Sequence, residues 1–168
     1  MQVKTFYKAV FLFSFLAICS ACSRLPNVQG NGDAALQGFW VQDSVSNSDK
    51  LLNYTQHQFK FSCDSFYVDL TTHSKVNYYE EDCFNKGLWK EYAKGTYMVR
   101  SDTLFLVGTF TKANYKQKVS GCYRNGRYLV NFKIKSTYKN KLILEGLNDQ
   151  KEHILNLKQP IECLPKAL

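Results

Sequence analysis

The chain has 168 residues, a formal charge of +8, 45% hydrophobic residues and 15% aromatic ones, the aromatics being chiefly Tyr and Phe. That length suits a single domain. Low-complexity tracts, internal repeats and a second apolar run long enough for a membrane helix are absent.

The first 21 residues read as an export signal. Lys4 and Lys8 give a positive start, and Ala9 to Cys19 is an apolar or small run. That run is too short to span a bilayer and fits the core of a secretory signal. Ser20 and Ala21 then precede Cys22, in a pattern similar to a bacterial lipobox. The expectation is a lipidated Cys22 at the mature N-terminus, in an oxidising compartment. An ordinary signal peptide with a chance Cys is the alternative. Removing the leader takes two lysines from the +8, leaving +6. Residues 22–35 are polar, with Pro26, Gly30 and Gly32, and read as a flexible tether.

The domain is then expected from residue 36 to 168, and it reads as short strands. "GFWVQD" from Gly38 is the first. In "HQFKFSC", His57, Phe59, Phe61 and Cys63 alternate with Gln58, Lys60 and Ser62. Asp64 to Phe66 turns the chain into "FYVDLT", where Phe66, Val68 and Leu70 alternate. Residues 73–91 read as a long polar and aromatic connection with acids at Glu80, Glu81 and Asp82. A second hairpin covers Lys94 to Phe110 and turns at Arg100–Ser101–Asp102. Residues 111–126 form a second long, basic connection. In "YLVNFKIK", Tyr128, Val130, Phe132 and Ile134 share a face. A turn at Lys139–Asn140–Lys141 leads to another strand, and "EHILNLK" is the last. No stretch has a convincing helical period. About eight antiparallel strands in sequence order predict an all-β, up-and-down barrel, which leaves no exposed edge. A two-sheet sandwich is the alternative.

Four cysteines follow the leader: Cys63, Cys83, Cys122 and Cys163. Outside the cytosol they predict two disulfides with three possible connectivities. Placing each long connection against a strand end or the tail gives Cys63–Cys83 and Cys122–Cys163. His57, His73 and His153 stand at no ligand spacing from them, so neither a metal nor another cofactor is expected.

From Lys112 to Lys141 there are nine basic residues and no acidic one. Lys112, Lys116, Lys118, Arg124, Arg127, Lys133 and Lys135 are candidates for a patch toward an anionic lipid or glycan. The plainer reading is the solvated face of two strands and a loop. Nucleic acid does not suit the compartment. No nucleophile turn or phosphate loop occurs. His57 reads as a partly buried histidine satisfied by one hydrogen bond, and Glu80 to Asp82 as a solvated loop.

Gly38–Phe39–Trp40 at the first strand resembles the G-x-W element of lipocalins. "GTYMVRSDTLFLVGTF" is similar to a hairpin of bacterial lipocalin-like domains. The resemblance implies that Gly38 and Trp40 close one end of a barrel whose interior can hold a small apolar ligand. "LQGFWVQDS", "HQFKFSCDSF", "SKVN", "EYAKGTY" and "ECLPKAL" resemble small lipoproteins of Sphingobacteria-type Bacteroidota. Members of that group often carry the label fumarate hydratase. The signature loop G-S-x-x-M-P-x-K-x-N of one fumarase class is absent here, as is a cysteine set for the iron–sulfur cluster of the other. The expectation is an envelope lipoprotein, anchored through its lipid with the periplasmic face of the outer membrane favoured. Its expected work is non-catalytic binding of a small apolar ligand or envelope component. A hydratase and a ligand-free structural lipoprotein are the alternatives.

Overall fold

A computed structural model describes residues 28–167; Cys22 and the expected leader lie outside the described residues. Eight strands follow one another: β1 (Gly38–Val41), β2 (Asn53–Ser62), β3 (Ser65–Ser74), β4 (Leu88–Arg100), β5 (Thr103–Thr111), β6 (Arg127–Tyr138), β7 (Lys141–Gly146) and β8 (Glu152–Pro160). Each pairs antiparallel with the next, and β8 returns to β1, closing the barrel. Closure satisfies the backbone of every strand and leaves no edge for another chain to extend. A one-turn helix, α1 (Glu81–Phe84), sits in the β3–β4 connection.

Up-and-down order sorts the connections by end. The β2–β3, β4–β5 and β6–β7 turns are two residues each and lie at one end with the start of β1. The four longer connections, residues 42–52, 75–87, 112–126 and 147–151, all lie at the other. The polar stretch expected over 73–91 is therefore shorter, because β3 runs to Ser74 and β4 begins at Leu88. Trp89, Glu91 and Ala93 alternate inward on β4, and the residues that made this segment look like a loop are its outer face.

The turn end is filled. Trp40, Phe59, Phe61, Phe66 and Leu36 are buried among Leu104, Leu106, Leu142, Leu144 and Leu155. Phe61 lies 5.5 Å from Phe59 and 4.9 Å from the Tyr97 ring, centroid to centroid, so aromatic rings stack and edge through this half. Trp40 is 1% exposed and its indole N–H donates to the Leu36 carbonyl at 2.7 Å. Gly38 has φ +154°, a backbone conformation that side chains rarely adopt, and a Cβ there would also press on Leu157 Cδ1 at 2.5 Å. Gln37 locks the β2–β3 turn: its amide nitrogen donates to the Cys63 carbonyl at 2.8 Å and its amide oxygen accepts from the Cys63 N–H at 2.7 Å.

The compact unit begins at Gly30, earlier than the expected boundary at Leu36. The Gly30 N–H donates to Asp64 Oδ2 at 3.0 Å and the Asp33 N–H to the Tyr97 hydroxyl at 3.1 Å. The last residues of the expected tether thus belong to the domain.

Both disulfides form, but their pairing differs from the expected one. Cys63 joins Cys163, and Cys83 joins Cys122. The reason is geometric. Cys63 follows β2 at the turn end, whereas Cys83 lies beyond β3 at the other. A ten-residue strand spans about 33 Å, far beyond the ~7 Å that a disulfide allows between Cα atoms. Cys83 and Cys122 stand in two connections at the same end, and the tail after β8 brings Cys163 to the turn end.

Candidate functional site

The barrel end under the long connections is partly open. A cavity of about 660 Å³ opens beside connections 42–52 and 147–151, and Leu70, Tyr128, Val130 and Phe132 are among the residues that line it. Its floor is polar. Gln42 follows β1, His57 is on β2 and His153 is on β8, and all three line the cavity. The His57 ring stacks on Phe59 at 5.7 Å and meets His153 edge-on at 4.5 Å. The edge of Phe132 approaches both histidines. The floor thus rests on the aromatic filling of the turn end.

One oxygen organises these groups. Gln42 Oε1 accepts from the His57 backbone N–H at 3.3 Å, and Nδ1 of His57 and of His153 stand 3.3 and 3.4 Å from it. Burial, then the facing His153, then Arg124 drive the His57 pKa down from 6.5 to about 3. Burial also lowers that of His153, with Asp149 opposing and Lys151 adding to it. Both rings are neutral at pH 7, because burial disfavours the charged form of each.

At the mouth the one deeply buried acid among the described residues finds its partner. Glu91 is 4% exposed. Arg124 grips it with Nε at 3.0 Å on Oε1 and Nη2 at 2.8 Å on Oε2, and the Arg124 backbone N–H adds a bond to Oε1 at 3.0 Å. The indole N–H of Trp89 donates to Oε2 at 3.4 Å. Arg124 lies over the Phe110 ring, 4.8 Å from its centroid, and its side chain is half exposed toward the cavity mouth. Burial disfavours its charge, while the hydrogen bonds and charge of Glu91 favour it, and the pKa stays above its usual value. The Cys83–Cys122 disulfide and an aromatic cluster hold this loop in place. Trp89 stacks on Tyr123 at 5.5 Å, Tyr79 meets both edge-on, and the Tyr123 hydroxyl donates to the Cys83 carbonyl at 2.7 Å.

The basic residues of the expected patch do not share one surface. Arg124 turns to Glu91. Lys118 Nζ donates to the carbonyls of Cys122 and Arg124, bracing its own loop. Lys133 and Lys135 lie farther along β6 and pair with Asp102 at 3.5 Å and Glu145 at 3.0 Å. Lys112, Lys116 and Arg127 remain exposed around the mouth.

Sequence reasoning placed His57 on an interior face but missed its partners. His153 shares the parity of Leu155 and Leu157 on β8, a signal that was present. Gln42 and Glu91 carried none, because a polar residue beside a turn reads as solvated until the strands are assembled. Among the described residues no group of three or more His, Cys, Asp or Glu is arranged for a metal ion. Comparisons with protein-family models, curated proteins and solved structures find no match.

Proposed function

We propose that this protein binds a small amphipathic molecule inside its barrel, as an exported chain held to the cell envelope through a lipid on Cys22. The observation that carries the reading is the cavity: about 660 Å³, open to the outside and lined both by apolar side chains such as Leu70, Val130 and Phe132 and by polar ones such as Asn53, Asp149 and Lys151. Pockets of that size are usual for small-molecule sites. The filled turn end supplies the rigid half, and the Cys83–Cys122 clip fixes the mouth. A purely structural barrel gains nothing from a half left unfilled, since unfilled volume forfeits packing.

The hydratase alternative finds less support. Water addition to a dicarboxylate needs cations for both carboxylates and a base between them. Arg124 is already held by Glu91, and Lys151 stands 3.9 Å from Asp149. The test uses the chain from residue 22 with Cys22→Ser, purified from its native host and extracted with organic solvent. A stoichiometric small molecule in the extract, released from a folded protein, is the expected result. A guest-free preparation that binds no hydrophobic fluorescent probe overturns the proposal, and so does fumarate turnover at an enzyme-like rate, about 1 s⁻¹ or more.

A further inference from the structure

The cavity floor carries a hydrogen-bonding pattern of definite sense. The His57 backbone N–H at 3.3 Å identifies Gln42 Oε1 as the acceptor of that amide. Nδ1 of His153 lies 3.4 Å from the same oxygen, so its neutral imidazole carries its proton there, whereas the His57 ring also bonds the Thr55 backbone. His153 then presents Nε2 as a lone-pair acceptor, and the Gln42 amide nitrogen is left as a donor. Neither of these two nitrogens has a hydrogen-bond partner among the described residues. Nor is either of them sealed into the wall: Thr111 Oγ1 is the sole buried side-chain atom of that kind among the described residues. Gln42 is 3% exposed and His153 9%, and both line the cavity.

We infer that this floor is a subsite for an uncharged hydroxyl or amide at the buried end of an amphipathic guest, whose apolar body fills the space between Leu70, Tyr128, Val130 and Phe132. The inference rests on the cavity reading and deepens it. A hydroxyl donates to His153 Nε2 and accepts from the Gln42 amide, matching the pattern with one group. A guest that is apolar throughout displaces water from both polar nitrogens and returns nothing. A carboxylate meets the imidazole lone pair, and the guanidinium at the mouth is already neutralised by Glu91.

The test measures calorimetric binding of 1-decanol, decyl methyl ether and decanoate at pH 7.5, using the chain from residue 22 with Cys22→Ser. The alcohol is expected to bind about tenfold tighter than the ether, the worth of one good hydrogen bond. The His57→Phe/His153→Phe double variant is expected to erase that difference while still binding both. In the unaltered protein, long-range ¹⁵N spectra should show the His153 ring protonated at Nδ1, with decanol shifting its Nε2 signal. Equal affinity for ether and alcohol, tightest binding of decanoate, or Nε2 signals unmoved by bound decanol each overturn this inference and leave the cavity reading standing. Failure of all three probes to bind overturns both.

Discussion

Acid should loosen this barrel through its histidine pair, and the size of the effect follows from where the pair sits. Unfolded, His57 titrates near 6.5; folded, it stays neutral down to about 3. Below pH 6.5 the unfolded chain takes up a proton that the folded one refuses. Stability is therefore complete above 6.5 and falls as the pH drops toward 3. Each pH unit in that window costs about 1.4 kcal/mol, so pH 4.5 costs about 2.7 kcal/mol through His57. His153 is shifted in the same direction and adds to the loss. The groups that set the effect are the facing ring, Arg124 and the Thr55 backbone for His57, and Asp149 and Lys151 for His153. Urea unfolding of the chain and of His57→Phe at pH 7.5 and 4.5 measures it. The variant, whose ring stays uncharged against Phe59 and Phe132, should lose about 2.7 kcal/mol less on acidification. Equal losses in the two proteins would refute the claim that His57 is buried neutral.

Three further outcomes are expected. Trp40→Ala should lower stability by about 3–5 kcal/mol, since it empties a buried site and removes the indole hydrogen bond to Leu36; an unchanged Tm would put Trp40 at the surface. Unreduced peptide mapping should find Cys63–Cys163 and Cys83–Cys122, and breaking each should cost about 4.7 and 3.9 kcal/mol by loop closure over separations of 100 and 39 residues; a Cys63–Cys83 peptide would contradict the strand order. Arg124→Gln should destabilise by about 2–3 kcal/mol by leaving Glu91 buried without its cation, with Glu91→Gln added to it restoring most of the loss; a neutral Arg124→Gln would mean that water reaches Glu91.

The sequence alone determined the architecture. Alternation in "HQFKFSC", "FYVDLT" and "YLVNFKIK" is a local property, because a strand shows successive side chains to opposite faces wherever it lies. It also put Trp40 in the core and Cys63, Cys83, Cys122 and Cys163 in disulfides. The pairing was recoverable in principle, since one strand between two cysteines carries them to opposite ends. Tertiary structure alone decided the site. Gln42, His57 and His153 are joined by barrel closure, which brings β8 beside β1 across more than a hundred residues. Arg124 looked like one more surface charge until its loop placed it against Glu91. What a polar side chain does depends on its partner and on the water left around it, and both are settled only when distant strands meet.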